Sequence, residues 1–307
     1  MFARSRSIAR AALGAALTLS LAGAACGPSA ATSGAAVRRG TVADAGAYAT
    51  AVAAGDAAFA QRADRAQLEQ AVVQYEAAVA LKDDDYETYE KLARAEYLLA
   101  DGWLYFEQAA DKQKFLDTYQ KGFQYAERGL RARYPAIEER LNAGVDLKDA
   151  AALVDKAGIG LLYWYSTNLG KWGNAQDITV VLEYKDRIYA VMEHVYELDP
   201  QFFYGAADRY FGAYYAIAPS FAGGDLERSW NHFQTSIKYE PRYVATYNLI
   251  AEFYAPKKQD GALFDEMLGK VLAVPDDVIP ELTAETKVEK RRAELLRKRR
   301  ADGDFPF

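Results

Sequence analysis

The segment from Ala218 to Pro241 constrains the fold most, because it combines a tight turn with one complete amphipathic helix. Gly223 and Gly224 give the backbone freedom to turn, and Asp225 has the chemistry to cap the first amides of the helix that follows. The helix then carries apolar residues at steps of four, three and four, namely Leu226, Trp230, Phe233 and Ile237. Such a stripe must pack against another element. The segment predicts a helix-turn-helix unit and points to binding rather than catalysis.

Helical stripes recur along the rest of the chain. One seam places apolar residues three and four positions apart: Leu116, Tyr119, Phe123, Ala126 and Leu130. Another stripe begins at Ile178 and ends at Asp199-Pro200, since proline stops a helix. Clusters of Val and Thr with period-two alternation, which indicate strands, are nearly absent. The chain is therefore predicted to be all-α.

The pattern after Pro241 resembles the first helix of a tetratricopeptide repeat, with aromatic, aliphatic, small and aromatic residues at Tyr247, Ile250, Ala251 and Tyr254. Such repeats have a period of about 34 residues. Pro200 and Pro241 are further apart than that, and the insertion PSFAGG accounts for the excess. Helix pairs of this kind bury their apolar faces only by stacking on neighbours. We therefore predict irregular tetratricopeptide-like repeats, stacked as antiparallel helix pairs, over residues 45–307.

The first 25 residues have the organisation of a secretory signal peptide. Arg4, Arg6 and Arg10 precede an apolar run, Ala11 to Ala25, which is too short and too rich in alanine for a membrane span. The only cysteine of the chain, Cys26, follows directly. This arrangement resembles a bacterial lipoprotein signal, in which the thiol takes the lipid. The alternative is an ordinary signal peptide with an incidental cysteine.

Residues 26–44 are small and polar for most of their length, and we predict that they form a flexible tether. Together with Cys26, this tether predicts a periplasmic protein held to a membrane by its lipid. Gly27, rather than the aspartate associated with inner-membrane retention, follows Cys26. The outer membrane is therefore favoured.

The net charge argues against a nucleic-acid partner. Removing residues 1–25 removes three arginines and no acidic residue, which takes the formal net charge from −6 to −9. An acidic surface repels nucleic acid and anionic lipid. The basic run from Lys287 to Arg300 is predicted to be a solvated terminal helix that docks by one edge through Leu295 and Leu296.

The sequence holds no recognisable apparatus for making or breaking bonds. Its two histidines, His194 and His232, lack a second soft ligand at metal-binding spacing. No GxSxG, HExxH, CxxC or phosphate-loop motif occurs. Adjacent acids such as Asp83-Asp84-Asp85 fit helix capping better than acid–base chemistry. We predict a non-enzymatic protein without catalytic residues, metal or cofactor.

Aromatic residues are the remaining functional candidates. They crowd the segments 163–172 and 202–221, where consecutive rings cover more than one helix face. Tyr and Trp join a large apolar surface to a polar tip, which suits a groove or pore for amphipathic ligands. Six residues are predicted to face a ligand or partner: Trp164, Trp172, Tyr204, Tyr214, Tyr215 and Phe221. The alternative is ordinary packing between repeats.

Four blocks of the chain resemble the T component of tripartite ATP-independent periplasmic (TRAP) transporters. The first two blocks are the helix FLDTYQKGFQYAERGLRARYP at 115–135 and the segment GIGLLYWYSTNLGKW at 158–172. The third is the helix that ends in Leu198-Asp199-Pro200, together with the later PSFAGGD turn. The fourth is the C-terminal pattern of Ala293, Leu295 and Leu296 with Phe305. The blocks keep their order over most of the mature chain.

The resemblance implies a lipid-anchored periplasmic protein of stacked helix pairs that forms ring-like homo-oligomers, with a trimer favoured. It also implies a partner, the transporter's periplasmic solute-binding subunit, and a small hydrophobic or amphipathic ligand. The family offers no catalytic residues to transfer. A different class of function stays open, in which the chain is a tetratricopeptide-like scaffold for protein–protein interaction in the cell envelope.

Overall fold

The computed structural model describes residues 36–40, 42 and 44–307. Within them the chain forms helices and no strand, which confirms the all-α prediction. The predicted signal peptide, residues 1–25, and the predicted lipidation site, Cys26, lie outside the described residues. None of the described helices is both long enough and apolar enough to cross a membrane.

Fourteen α-helical segments follow one another along the described chain, with short 3₁₀ turns and one π-helical turn between them. They are α1 Ala45–Ala60, α2 Arg65–Leu81, α3 Tyr86–Gly102, α4 Lys112–Arg133, α5 Pro135–Asn142, α6 Leu147–Ala150, α7 Ile159–Asn174, α8 Ile178–Leu198, α9 Phe202–Ile217, α10 Leu226–Tyr239, α11 Ala245–Leu249, α12 Ala255–Lys258, α13 Gly261–Ala273 and α14 Thr283–Ala301. The π-helical turn, Ile250–Tyr254, joins α11 to α12.

Aspartates begin most of the longer helices. In each case the carboxylate accepts a hydrogen bond from a backbone amide of the first turn, as Asp225 does from Glu227 and Arg228 at 2.9 and 3.0 Å. A cap of this kind stabilises a helix by about 1 kcal/mol. Seven further helices have an aspartate N-cap of the same kind: Asp44, Asp64, Asp85, Asp111, Asp146, Asp177 and Asp260. The acidic turns of the sequence therefore mark where helices begin.

Successive helices pack as pairs, and the pairs share two hydrophobic cores. The most extensive contacts join α3 to α4, α1 to α2, α4 to α7, α9 to α10 and α7 to α8, while α7 also packs on α3. One core runs from Ala58 to Tyr215, and the other from Ala216 to Leu296. The two cores meet on α9, which contributes residues to both.

The C-terminal helix α14 lies across the first helices of several pairs. Arg62, just after α1, and Arg94 of α3 both form ion pairs with Glu285 at 2.9 Å. The Asn248 amide of α11 donates to the Glu289 carboxylate at 2.7 Å. The start of α14 therefore connects the first pairs to the last one.

The basic run at 287–300 is less solvated than predicted. Arg292 is buried and its guanidinium lies 2.7 Å from Asp101 of α3. Lys171 of α7 donates to the same carboxylate at 2.8 Å, and the Tyr119 hydroxyl at 3.0 Å. Burial alone would raise the pKa of Asp101, but the two cations hold it well below its usual range. The prediction of a solvated helix is wrong at Arg292, because Asp101 supplies a buried partner that the local sequence does not reveal.

The described end of the predicted tether contacts the helical domain. Val37 is buried and its amide donates to the Glu138 carboxylate at 2.6 Å. The Arg38 amide donates to Asp83 at 2.8 Å, and an Arg39 guanidinium nitrogen donates to the Arg131 carbonyl at 2.7 Å. Residues 37–39 are therefore held on the domain by carboxylates and a carbonyl of the α2–α5 region, a contact that composition alone did not indicate.

Candidate functional site

The six predicted site residues lie in four places. Trp164 and Trp172 belong to α7, Tyr204 to the start of α9, and Tyr214 and Tyr215 to its end. Phe221 lies in the 3₁₀ turn Ser220–Ala222 beyond α9. Their assignment to a ligand or partner remains a prediction.

Trp164 is the centre of the largest aromatic group. It is only 4% exposed, and its ring centroid lies 4.7 to 5.4 Å from those of Tyr97, Tyr163 and Phe203. The contacts continue through Tyr204 to Tyr243, whose rings stack at 5.2 Å with an interplanar angle of 13°. We call this set the aromatic seam: Tyr97, Tyr163, Trp164, Phe202, Phe203, Tyr204 and Tyr243. Its outer members, from Phe202 on, are half-buried.

The backbone at the start of α9 is left-handed. Phe203, Tyr204 and Gly205 have φ values of 42°, 61° and 74°. Only glycine adopts this region at no steric cost, and a bulky residue held there costs roughly 1–3 kcal/mol. Two consecutive aromatic residues therefore hold an unfavourable conformation that the surrounding structure must maintain.

Arg209 maintains this left-handed turn. Its guanidinium donates to the Phe203 carbonyl at 2.7 Å and also to the Tyr204 carbonyl. The same guanidinium carbon lies 4.1 Å from the centroid of the Tyr243 ring, a cation–π contact. Arg209 is buried. Its single side chain satisfies two carbonyls and positions one end of the seam.

Charged groups lie beside the seam, on α3, at the start of α14 and in the turn before α14. The Arg94 guanidinium carbon lies 5.9 and 5.6 Å from the rings of Trp164 and Phe203, while its nitrogen pairs with Glu285. The Tyr204 hydroxyl donates to Glu281 at 2.9 Å. Burial and that hydrogen bond raise the pKa of Tyr204 to about 12, so the hydroxyl stays protonated at neutral pH. The seam thus joins apolar ring faces to two cations, Arg94 and Arg209, and to one acid, Glu281.

Glu90 of α3 is a polar group that sequence reasoning missed. Its Oε1 lies only 2.0 Å from the point where a Cβ on Gly160 would be, so a side chain at position 160 would have to push the Glu90 carboxyl aside. Burial raises the pKa of Glu90 to about 7, although Arg94 opposes the shift. Gly160, within the GIGLL segment, is the feature of the sequence that could have indicated this close contact. A carboxyl of this kind exchanges a proton near neutral pH.

Trp172 and Tyr215 belong to packing groups outside the seam. Trp172 is 9% exposed and lies edge-on to Phe123 and Tyr184 at 5.6 and 6.0 Å. Tyr215 is 3% exposed, and its ring stacks on His232 at 5.7 Å with an 18° interplanar angle. These contacts fill the core.

Tyr214 is half-buried beside the Tyr215 group. Its ring lies 5.2 Å edge-on from that of Tyr189, whose hydroxyl in turn shares a 3.0 Å hydrogen bond with Tyr215. Phe221, by contrast, is 93% exposed. The structure therefore joins Trp164 and Tyr204 in one seam and leaves the other four predicted residues outside it.

The described residues include no group of three or more His, Cys, Asp or Glu side chains arranged to hold a metal ion. His194 lies 2.9 Å from the Val154 carbonyl and 3.2 Å from Glu197. His232 pairs with Asp208 at 2.7 Å. Each histidine thus has a structural partner.

Comparison with known proteins gives two findings. The family model of the TRAP transporter T-component matches residues 67–303. A protein of Treponema pallidum (strain Nichols), named only as uncharacterized, is 25% identical over 191 residues. That alignment covers 58% of this chain and 57% of the relative, so the chain spans rather more than half the relative's length.

Proposed function

This chain belongs to the TRAP transporter T-component family, and we propose that it binds or channels a small hydrophobic or amphipathic ligand for such a transporter. It does so together with a periplasmic solute-binding protein and performs no catalysis. Cys26 carries the lipid that anchors it in the periplasm, with the outer membrane favoured. It acts as a homo-oligomer, with a trimer favoured.

The observation that carries the ligand-binding proposal is the left-handed turn at 203–205. Strained backbone of this kind is concentrated at ligand-binding and switch regions. Here the strain places Phe203 and Tyr204 side by side, half-buried, next to Arg94 and Glu281. Ring faces bordered by a cation and an acid suit a ligand with an apolar body and a polar end.

The path of α14 argues against the alternative, a scaffold that holds extended peptides. Such a scaffold needs a free groove along the first helices of its pairs. The segment 281–292 contacts α3, α9 and α11, as well as Arg62 beyond α1. A peptide would have to displace α14, including the buried ion pair of Arg292 with Asp101.

Native mass spectrometry of the protein purified from its own host tests the ligand proposal. We expect a bound small molecule in the wild-type protein and a loss of about tenfold or more in occupancy for Tyr204→Ala, which removes a ring of the seam. Tyr86→Ala is the matched control, because Tyr86 is also half-buried but contacts Arg133 far from the seam. Equal occupancy in all three proteins, with unchanged melting temperatures, would refute ligand binding at the seam.

Affinity capture with the purified solute-binding subunit of the same transporter tests the partner. We expect a complex with the wild-type chain, and its stability should change when the transported solute is added. A solute-binding subunit that passes unretained over immobilised wild-type protein, with and without solute, would rule this partner out.

A further inference from the structure

We infer that Phe221 of one copy of this chain inserts into the cavity between α3 and α14 of a neighbouring copy. The inference rests on the proposed homo-oligomer and names the contact that builds it. The turn that carries the ring, residues 218–225, is called the knob; the receiving cavity, described below, is called the hole.

The knob holds its ring away from the body of its own molecule. Phe221 is the most exposed large apolar side chain of the described residues, at 93%. Burying a phenylalanine stabilises a complex by about 1.5–3 kcal/mol, a gain that the single chain does not realise. Almost all of the apolar surface of this ring is therefore available to a partner.

The knob is also rigid, so the exposed ring is not the end of a loose loop. The Pro219 carbonyl accepts hydrogen bonds from Ala222 and Gly224 at 2.8 and 2.9 Å. The Asp225 amide donates to the Tyr215 carbonyl at 3.0 Å, which fixes the turn to α9. A pre-organised ring loses little conformational entropy on binding.

The hole lies between the end of α3 and the first turns of α14. Its volume is about 220 Å³. Its wall is apolar, through Leu98, Trp103 and Val288, and cations border it, through Arg62, Lys287 and Arg291. An aromatic ring suits this lining, because its edges meet apolar groups while its face attracts cations.

Arg291 already shows this preference for aromatic rings. Its guanidinium carbon lies 3.9 Å from the centroid of the Phe106 ring, which covers one face of the guanidinium plane. Arg291 and Lys287 are both exposed, and neither lies within ion-pair distance of an acid among the described residues, although Lys287 helps to lower the pKa of Asp276 from longer range. The hole therefore has two cations available to an incoming group.

The charges beside the knob complement those of the hole. Glu227, six residues after Phe221, is the exposed acid beside the knob, because the Asp225 carboxylate caps α10 and the Arg228 guanidinium lies 4.1 Å from the Tyr215 ring of its own chain. Like-sign charges on both surfaces would repel, whereas Glu227 facing Lys287 and Arg291 steers the two surfaces together. The knob and the hole, which complement each other, thus both lie on this chain. This favours the knob of a second copy, rather than another protein, as the group that fills the hole.

The knob and the hole are different surfaces, so the contact is heterologous. Repeated from copy to copy, it closes into a ring when the rotation between neighbours permits. The proposed trimer is such a ring.

Sedimentation equilibrium of the full processed chain in detergent tests the inference. We expect Phe221→Ala to weaken self-association by about tenfold or more, the effect of losing one buried phenylalanine. Leu182→Ala is the matched control, because Leu182 is a large apolar residue that is 50% exposed and lies on α8, outside both surfaces. Its assembly should equal that of the wild type.

Exchanging one charge pair sharpens the test. Glu227→Lys and Lys287→Glu should each weaken assembly, while the double variant should recover most of the loss, because opposite charges again face each other. Both residues are exposed, so the folded monomer should tolerate the changes, as equal melting temperatures would verify.

The possible outcomes separate this inference from the proposed function. A ring that forms equally well with Phe221→Ala overturns the knob contact but leaves the proposed oligomer standing. A wild-type chain that is monomeric overturns both. Loss of capture by the solute-binding subunit, with self-association unchanged, would assign Phe221 to that partner and overturn the second copy as its occupant.

Discussion

The two ends of α9 present aromatic side chains in opposite ways. At its start, Phe203 and Tyr204 accept a left-handed backbone and lie half-buried within the aromatic seam. Beyond its end, a glycine takes the left-handed conformation, Gly223 with φ 93°, and Phe221 points into solvent. The left-handed conformation thus falls on bulky residues where other side chains hold them, and on glycine where the turn is held only by backbone hydrogen bonds.

The difference lies in the groups around each turn. Arg209 and Tyr243 enclose the first turn, and their contacts offset the unfavourable φ values. The second turn is held only by its own backbone hydrogen bonds and by the link from Asp225 to Tyr215. A turn enclosed by tertiary contacts can position a buried site, whereas a turn held by local bonds presents a side chain outward.

Among variants at the two turns, Arg209→Met should lower the free energy of unfolding most. The change leaves two partly buried carbonyls without their charged donor and removes the cation from the Tyr243 ring, so the free energy of unfolding should fall by about 3–4 kcal/mol. Denaturant unfolding measures it. Arg228→Met is the control, because the Arg228 guanidinium also lies 4.1 Å from a ring, that of Tyr215, at the other end of α9. It should lose about 1 kcal/mol or less, and equal losses in both variants would show that the two carbonyl bonds contribute nothing.

Gly205→Ala should produce the next largest effect. The added Cβ meets a backbone that is left-handed and a Tyr239 ring carbon at 2.9 Å, so we expect a loss of about 2–3 kcal/mol. Gly269→Ala in α13 is the control, since nothing lies within 4 Å of its Cβ. The same denaturation series compares them. An unchanged stability in Gly205→Ala would mean that the turn at 203–205 relaxes readily and is not held.

Gly224→Ala tests the outward turn. Its Cβ would fall 1.8 Å from the Ala218 carbonyl oxygen, a backbone atom, so the turn must rearrange. We expect a loss of only about 1–2 kcal/mol, together with displacement of Phe221. Limited proteolysis would report the loosened turn as faster cleavage after Phe221. A cleavage rate equal to that of the wild type would contradict the tight geometry of this turn.

Phe221→Ala should have the smallest effect on the folded monomer. The ring makes almost no contact within its own chain, so the free energy of unfolding should stay within about 0.5 kcal/mol of the wild type. The measurement belongs at concentrations where the chain is monomeric, because assembly adds stability by mass action. A loss above about 1 kcal/mol would show that Phe221 packs on its own molecule, and the contrast between the two ends of α9 would disappear.

Much of the helical framework followed from local patterns in the sequence. The stripe from Leu226 to Ile237 corresponds to α10, and Asp225 caps it as predicted. The helix that the sequence ends at Asp199-Pro200 is α8, which ends at Leu198. Periodicity, capping aspartates and prolines act within a few residues, so they are visible without knowledge of the fold.

Local sequence patterns predicted only part of the candidate site. Aromatic crowding pointed to Trp164 and Tyr204, which the structure brings into one seam, but also to Trp172 and Tyr215, which lie in other packing groups. Tyr243 and Arg209 carried no local signal, because their roles arise from contacts with the turn at 203–205. Ring density alone does not tell which rings meet.

The sequence by itself determined that this chain is helical, where most of its helices begin and end, and that it belongs with the TRAP T components. Only the tertiary structure decided that Phe203 and Tyr204 adopt left-handed backbone, that α14 lies over α3, and which rings share a surface. The decisive contacts join residues far apart in the chain, 77 positions for Tyr204 and Glu281 and 191 for Asp101 and Arg292. Local propensity acts over one or two helical turns, whereas such contacts depend on how whole helices pack.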